Sequence, residues 1–429
     1  MGRARGSAVA VGRPIALELS SGAAMGQKSL RDLLRGLSVL TLCSSPHFLR
    51  FAPWILEGSR RLLGRHLWVA ALRASFYGHF VGGETPAEVK AAVGQLRAMG
   101  LRALLALPCE EQRRGRPTGE EWFEANCGAA LQCVGLTAAM GQEPMMQLKV
   151  TALMSAQLCE ILSKPNSGLT MEVVEAMMDG EERPLPGLSA AQNEHLRAAV
   201  GRLQRVTERA ASLGVRVLVD AEQSALNPTL SLLTVALMGR HNRHWPCVWN
   251  TYQAYLRGCG SRLWADSEWL RRRGALFGAK LVRGAYVEEE KGGENLQPSL
   301  EWTHRSFGRC VELALALALR SRLRGAVMVA THNEDSVRHT ARRMEELGIP
   351  RSGGGVCFGQ LYGMGDHISL ALGDAGFTVY KSVPYGPPEA TIAYLVRRAQ
   401  ENHAAFSGAG KEAKLMAREL WRRLQPWRR

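Results

Sequence analysis

The chain has 429 residues, of which 46% are hydrophobic and 22% charged, as in ordinary soluble globular proteins. This length fits one large α/β domain or two smaller ones, and the longest apolar runs, such as 313–319, are far shorter than a bilayer span. Nine cysteines without CxxC or Cys/His ligand spacing argue against a disulfide framework and against a zinc site.

The formal charge of +15 is concentrated near the two ends of the chain. Residues 1–66 contain ten Lys/Arg and three Asp/Glu, and residues 411–429 contain seven and two. A nucleic-acid-binding domain carries its basic footprint on the folded surface. We therefore do not expect nucleic acid as a partner.

The N-terminal stretch has the composition of a mitochondrial transit peptide. Its first 30 residues include Arg3, Arg5, Arg13 and Lys28, with Glu18 as the only acid, and they lack a secretory apolar core. A disordered basic N-terminus is the alternative. We expect a mitochondrial protein on the matrix side.

The C-terminal tail places Met416, Leu420, Leu424 and Trp427 on a rough apolar stripe among arginines. This pattern predicts either an interfacial helix in peripheral contact with the anionic inner membrane or a helix packed on the protein's own body.

Between the ends, helix-like stretches alternate with short apolar runs. The eight runs are 101–110, 145–154, 215–223, 247–253, 276–286, 326–333, 356–365 and 377–386. Apolar strands separated by helices indicate parallel pairing with both faces covered. Eight units favour a (β/α)8 barrel over an open doubly wound sheet, which stays the alternative. The insert 164–188 is expected to be a surface loop.

This pattern predicts an α/β protein in three parts. Residues 1–66 form the targeting and N-terminal helical segment, 67–405 a distorted (β/α)8 catalytic domain, and 406–429 a basic helical tail.

Polar residues collect where the predicted strands end, which is where barrel enzymes carry their active sites. They are Lys149, Asp220, Gln253, Lys280, Arg283, Thr331, His332, Asn333, Gln360 and Ser382. Several cations and one strong acid suit an anionic ligand with a flavin-like or phosphate-bearing cofactor. Glycoside hydrolysis would need two facing carboxylates. His241 and His244 lack a third ligand at suitable spacing, so no metal site is predicted.

The last predicted helix, 388–402, carries Tyr394, Arg397, Arg398 and Glu401 on one face. Paired arginines can hold a carboxylate bidentately. A solvated charged face is the alternative reading of this helix.

Six segments resemble the signature segments of the proline dehydrogenase family, in the same order, within a similarity that runs from about residue 80 to 403. They are MQLKVTAL at 146–153, LVDAE at 218–222, GAKLVRGAY at 278–286, ATHNEDSV at 330–337, FGQLYGMG at 358–365 and YLVRRAQEN at 394–402. The resemblance implies a distorted (β/α)8 barrel that binds FAD non-covalently. It also implies oxidation of the ring amine of proline to a cyclic imine, with electrons passed to ubiquinone.

The resemblance also implies roles for residues around the substrate. Arg397 and Arg398 match the pair that holds the substrate carboxylate, Lys149 joins them, and Glu401 orients the pair. Further substrate-binding positions are Tyr286, Leu361, Ser382 and Tyr394. Leu361 and Tyr394 match residues that pack over the substrate ring.

Other matched positions are implied to serve the cofactor and the reaction. The expected FAD-binding residues are Gln253, Lys280, Val282, Arg283, Gly284, Ala285, Thr331, His332 and Asn333. The expected catalytic residues are Lys149, Asp220 and Lys280. Lys280 stands where bacterial members commonly have arginine.

Ser382 departs from the proline-specific pattern, which has tyrosine at this position. Serine removes aromatic bulk opposite the ring nitrogen and offers a small hydroxyl. A site shaped for a hydroxyl can discriminate strongly, so we expect trans-4-hydroxyproline to be preferred over proline. Two alternatives stay open: a proline dehydrogenase with hydroxyproline as a side substrate, and a nucleic-acid- or membrane-binding protein on a degenerate barrel.

Overall fold

The computed structural model describes residues 17–19, 22–107, 119–287, 289–290, 292–391, 394–396 and 406–425. Eight parallel strands close into a barrel in which each strand pairs with its neighbours in the sequence and β1 pairs with β8. The strands are β1 Arg102–Ala106, β2 Met145–Leu148, β3 Arg216–Val219, β4 Val248–Gln253, β5 Gly278–Val282, β6 Ala326–Ala330, β7 Val356–Leu361 and β8 Val379–Pro384. The predicted (β/α)8 barrel is confirmed, and the open sheet is wrong.

Helices pack around this barrel, and further helices precede β1 and follow β8 along the chain. The bounds are α1 Leu30–Cys43, α2 Pro46–Ala74, α3 Phe76–Phe80, α4 Pro86–Ala98, α5 Glu120–Ala138, α6 Ala156–Leu162, α7 Met171–Met178, α8 Ala190–Ser212, α9 Asn227–His241, α10 Cys259–Arg272, α11 Leu300–Arg320, α12 Glu334–Glu346, α13 Asp366–Asp374 and a C-terminal helix Phe406–Leu424. Short 3-10 turns lie at Gly22–Gln27, Val150–Ala152 and Pro388–Thr391.

One loop prediction was wrong, because the insert 164–188 contains helix α7. Thr170 caps its N-terminus by accepting a hydrogen bond from the Val173 amide. Val174, Met177 and Met178 are buried, at the i, i+3 and i+4 spacing of one helical face.

The two ends of the chain pack against each other and against the barrel. Leu33 and Leu40 of α1 belong to the same core as Leu415, Met416 and Leu420 of the C-terminal helix. Packing on the protein's own body is therefore confirmed for Met416 and Leu420 of the tail's apolar stripe. Leu424 is exposed, and Trp427 lies outside the described residues.

The proposed three-part division stays a prediction, and α2 runs across its boundary at residue 66. Among the helices that the structure describes, none is long and apolar enough to cross a bilayer.

Candidate active site

The barrel interior is built in layers along the strands. An apolar layer contains Leu104, Met145, Leu218, Trp249, Ala326, Met328, Cys357 and Tyr380. Side chains alternate between the two faces of a strand, so a residue two positions later points the same way. Gln147, Asp220 and Ser382 follow Met145, Leu218 and Tyr380 by two. The next layer toward the carboxyl ends of the strands is therefore polar.

Four side chains, three from β2, β5 and β8 and one directly after β3, join into one hydrogen-bonded chain in this polar layer. The Ser382 hydroxyl donates to Oε1 of Gln147. The Gln147 amide donates to both carboxylate oxygens of Asp220, at 3.1 and 3.3 Å. Nζ of Lys280 lies 2.5 Å from Oδ1 of Asp220. Three predicted site residues, Asp220, Lys280 and Ser382, thus meet across the barrel through Gln147.

Gln253 is held in place by residues that follow β3. Its amide nitrogen donates to the Glu222 carbonyl at 3.1 Å, and its Oε1 accepts from Asn227 at 2.5 Å. The Glu222 carboxylate accepts from the Thr151 hydroxyl at 2.7 and 2.9 Å. Burial raises the pKa of Glu222, although the nearby Lys149 charge opposes the rise. Because its amide is fixed at both ends, Gln253 presents a rigid polar edge at the end of β4.

Arg283 lies in a second part of the site, between β5, α11 and α12. Its guanidinium donates to the Thr331 hydroxyl at 2.7 Å, the Ser336 hydroxyl at 2.7 Å and Nδ1 of His304 at 2.9 Å. It also stacks 4.4 Å from the ring centroid of Phe307. Burial lowers the pKa of Arg283 to about 10. All of these partners are neutral, so this half-buried cation is suited to an anionic ligand.

Arg283 lines a cleft that extends to the N-terminus of α12. Asn333 is the N-cap of this helix, and its side chain accepts a hydrogen bond from the Ser336 amide at 2.9 Å. The cleft has a volume of about 320 Å³ and is lined by Arg283, His304, Phe307, Asn333, Ser336 and His339, among others. A helix N-terminus beside an arginine is a favourable site for phosphate groups. These residues therefore fit the diphosphate of a dinucleotide cofactor such as FAD.

Two glycines allow close backbone approaches near these groups. Gly284 has φ +128°, and a Cβ there would lie 2.0 Å from Cδ1 of Tyr255. Gly365 has φ +61°, and a Cβ would lie 2.7 Å from Nδ1 of His332. Any side chain at either position would displace a ring next to a predicted cofactor-binding segment. Val282 and Ala285 flank the Arg283–Gly284 pair at the end of β5.

Leu361 and Tyr394 both pack against one apolar cluster, which also contains Trp68 and Leu72 of α2 and Met364. The Leu361 amide approaches Nε2 of His332 at 3.4 Å. Two residues predicted to pack over the substrate ring are therefore brought together at the end of β7.

Of the remaining predicted site residues, the structure describes Lys149 and Tyr286 but not Arg397, Arg398 or Glu401. Lys149 directly follows β2 and lines a small cleft with Gln147. Tyr286 lies in the loop after β5, where its carbonyl accepts from the Glu289 and Glu290 amides. Arg397, Arg398 and Glu401 lie outside the described residues, so their roles stay predictions.

Sequence reasoning did not assign roles to Gln147, Glu222, Asn227 or His304. Gln147 in β2 lies two residues before Lys149, which was a usable signal, since Lys149 was already placed in the site. For Glu222 the signal was an acid two residues after Asp220. His304 is on α11, far along the chain from Arg283, and no spacing pointed to it.

Within the described part of the chain, no group of three or more His, Cys, Asp or Glu side chains is arranged to hold a metal ion. His241, which ends α9, lies 3.1 Å through Nε2 from the Thr207 hydroxyl.

Comparison with known proteins identifies close relatives. Hydroxyproline dehydrogenase of Homo sapiens is 48% identical to this chain, and the match covers 94% of this chain and 93% of the relative. The Xenopus laevis protein of the same name is 45% identical over 95% and 91%. Proline dehydrogenase 1, mitochondrial, of Bos taurus is 32% identical over 92% and 87%.

Solved structures support the fold. Proline utilization A from Bdellovibrio bacteriovorus, inactivated by N-propargylglycine, superposes with a TM-score of 0.62 at 20% identity. The match covers 92% of this chain but only 40% of that one, so this chain corresponds to less than half of that larger protein. The proline dehydrogenase family model matches residues 125–410. The chain belongs to the proline dehydrogenase family and is an oxidoreductase of the dehydrogenase type.

Proposed function

We propose that the protein oxidises trans-4-hydroxy-L-proline to 3-hydroxy-1-pyrroline-5-carboxylate with FAD as cofactor and ubiquinone as electron acceptor. The relatives with the highest identities quoted above are hydroxyproline dehydrogenases, at 48% and 45%, whereas the quoted proline dehydrogenase is 32% identical. Oxidation of L-proline to 1-pyrroline-5-carboxylate is the second candidate, favoured by the family model.

The observation that carries the substrate choice is the Ser382 hydroxyl in the polar layer. A hydroxyl has one proton to donate and two lone pairs to accept with. The Ser382 hydroxyl donates its hydrogen bond to Oε1 of Gln147. The lone pairs of the Ser382 oxygen are therefore left to accept a hydrogen bond from the ligand. The 4-hydroxyl of the substrate is such a donor, and an unsubstituted ring is not.

Substrate positioning supports the reaction. Arg397, Arg398 and Lys149 hold the carboxylate in this proposal, with Glu401 orienting the arginines. Leu361 and Tyr394 cover the ring, and this contact excludes water from the reacting carbon. Fixing the ring in one orientation converts binding free energy into a lower barrier.

Asp220 has a positioning role toward Lys280 in this mechanism. Its contact with Nζ of Lys280 at 2.5 Å keeps the ammonium at a fixed point in the barrel mouth. The Gln147 amide also donates a hydrogen bond to the Asp220 carboxylate. Asp220 and the Lys280 ammonium therefore keep their positions when the ligand binds. The substrate nitrogen binds as the neutral amine and releases its remaining proton to solvent as the imine forms.

FAD would supply the acceptor for the two electrons that leave C5 with a hydride. Arg283, Thr331, His332 and Asn333 would hold its diphosphate and ribose. Gln253, Lys280, Val282, Gly284 and Ala285 would contact its ring system. The protein contributes orientation and electrostatics rather than redox chemistry of its own.

Mitochondrial location is part of the proposal, with the active site on the matrix side and a peripheral contact with the inner membrane. The mitochondrial name of the Bos taurus relative and the basic N-terminal composition support it.

One experiment tests the function directly. The purified protein is assayed for dye-coupled oxidation of trans-4-hydroxy-L-proline and L-proline side by side, and its absorbance spectrum is recorded. We expect a yellow protein with a higher kcat/KM for hydroxyproline. A higher kcat/KM for proline would favour the second candidate, and a colourless protein inert toward both would refute the flavoenzyme proposal.

A further inference from the structure

Helix α2 carries an apolar stripe that faces solvent instead of the core. We call Phe51, Trp54, Ile55 and Leu62 the α2 stripe. Their side chains are 50%, 79%, 44% and 87% exposed. Large apolar side chains exposed together in this way mark an interaction surface.

The spacing of the stripe is that of one helical face. Positions 51, 54, 55 and 62 correspond to i, i+3, i+4 and i+11, and Gly58 fills the i+7 position between them. Gly64 has φ +67° and breaks the helix just after Leu62. The stripe is therefore a separate amphipathic segment, while the later part of α2 turns Trp68 and Leu72 into the core.

Exposed arginines flank one side of the stripe. Arg50 and Arg61 are on the same helix and are exposed. Arg60 is also exposed but lies over the Trp68 ring, 5.8 Å from its centroid, and Arg65 pairs with Glu389. Arg50 lies 5.8 Å from the ring centroid of Phe51, so a positive charge is directly beside an apolar anchor. Apolar anchors flanked by arginines are the pattern of helices that lie in the headgroup region of an anionic bilayer.

A second copy of the chain fits this surface less well. A symmetric dimer through the α2 stripe would bring the same patch of both subunits together. The arginines of one copy would then face those of the other at short range, which is repulsive. An anionic lipid surface satisfies both the apolar stripe and its charges.

The location of α2 connects this surface with the active site. Trp68 and Leu72 belong to the cluster that contacts Leu361 and Tyr394. Nε of Arg65 lies 3.0 Å from Oε1 of Glu389, in the turn that follows β8. Helix α2 therefore flanks the end of the barrel that carries the site.

We propose that the α2 stripe inserts into the interface of an anionic bilayer and docks the active-site end of the barrel at the membrane. Bilayer binding itself needs no substrate or cofactor. Its benefit, a short path to a lipid-soluble electron acceptor, rests on the proposed function. This assigns the membrane contact to α2 and not to the C-terminal helix, whose Met416 and Leu420 are buried.

Vesicle flotation tests this assignment. The full-length holoprotein is mixed with phosphatidylcholine vesicles with or without cardiolipin, and lipid-bound protein is measured after centrifugation. We expect binding to the cardiolipin vesicles that weakens as NaCl is raised. The double variant Trp54→Glu/Leu62→Glu should bind at least about tenfold more weakly, because both exposed anchors are replaced by charges that anionic lipid repels.

The matched control is Trp421→Glu/Leu424→Glu on the C-terminal helix, where both side chains are also exposed. It should float as the wild type does. Both variants should keep wild-type Tm and dye-coupled turnover, because none of the four residues touches the proposed site.

Three results would overturn the assignment. They are equal flotation of wild type and the α2 variant, no binding of wild type to either vesicle, and loss of binding only in the C-terminal variant. Sedimentation of the wild type as a dimer that the α2 variant abolishes, without vesicle binding, would identify a second copy as the occupant and also refute it. Flotation of a protein that oxidises neither amine would refute the proposed function and leave the docking intact.

Discussion

At the scale of single residues, what the site can bind depends on which hydrogen-bond donors and acceptors are already paired with other protein groups. The Ser382 hydroxyl donates a hydrogen bond to Gln147, the Gln147 amide donates to Asp220, and Lys280 also donates to Asp220. Arg283 uses its donors on neutral groups. In the proposed function, the first arrangement leaves acceptors for a substrate hydroxyl, and the second gives a cation with neutral hydrogen-bond partners that would suit an anionic cofactor.

Replacing Arg283 should lower cofactor content. Arg283→Gln removes the charge from the cleft at the N-terminus of α12, and charge-assisted hydrogen bonds contribute about 1.5–3 kcal/mol. We expect FAD affinity to fall about tenfold to hundredfold, measured by flavin absorbance relative to protein after dialysis. Arg305→Gln, an exposed arginine on α11 paired with Glu301, is the control and should retain flavin. Equal flavin content in both variants would show that Arg283 does not hold the cofactor.

Gln147 should influence the selectivity between hydroxyproline and proline. Gln147→Met keeps the length of the side chain but removes the acceptor that orients the Ser382 hydroxyl. A net hydrogen bond contributes about 1 kcal/mol, so the ratio of kcat/KM for hydroxyproline to that for proline should fall about fivefold. Steady-state assays with both substrates measure this ratio. An unchanged ratio would mean that Gln147 does not orient Ser382.

At the scale of secondary structure, the eight strands were predictable because each is a short apolar run between helix signals. Which strand residues face the interior was not predictable. A strand buried on both faces shows no alternation between apolar and polar positions, so the hydrophobic pattern of β2 did not place Gln147 inside, and only its spacing of two residues from Lys149 pointed there. Helix α7 was missed because prolines and acids around it resemble a loop.

The short helix α3 carries a pH-sensitive contact. His79 is buried, and its ring lies 4.6 Å from that of Phe80, centroid to centroid. Burial, with a smaller contribution from Lys28, lowers the pKa of His79 to about 4, below its ordinary value of 6.5. The unfolded chain then binds more protons than the native state between these pH values. The contribution of His79 to the free energy of unfolding is therefore fully present above about pH 6.5 and is lost as the pH falls toward 4.

We expect this residue to contribute up to about 3 kcal/mol of destabilisation by pH 4. His79→Gln removes the titration and should flatten the fall in the free energy of unfolding between pH 6.5 and 4. Denaturant titrations of wild type and variant across this range measure the difference. Parallel pH profiles would show that His79 does not determine acid sensitivity.

At the scale of the whole molecule, both ends of the chain meet at the N-terminus of α13. Glu412 of the C-terminal helix accepts from the Gly365 and Asp366 amides at 2.9 and 2.8 Å. Asp366 pairs with Lys28 and, at 2.7 Å, with Lys381 of β8. Sequence patterns indicate that the tail is amphipathic, but they do not show which surface a helix covers when the partners are 47 and 46 residues apart.

Removal of this link should destabilise the entire fold. Glu412→Ala leaves two buried amide donors without acceptors, and each unsatisfied group costs about 1–3 kcal/mol. We expect a loss of about 2–4 kcal/mol in the free energy of unfolding, measured by denaturant titration. Lys414→Ala, at an exposed position on the same helix, should change it by less than about 0.5 kcal/mol. Similar losses in both variants would point to helix propensity and not to the Glu412 cap.

Substrate selectivity in the proposed function depends on the position of Ser382 beside the substrate ring. The most direct test is the ratio of kcat/KM for trans-4-hydroxy-L-proline to that for L-proline in wild type and in Ser382→Tyr, with dye as electron acceptor. We predict that the variant loses hydroxyproline turnover and keeps or gains proline turnover, because the phenol fills the space of the 4-hydroxyl. Equal loss of both activities would contradict the selectivity argument.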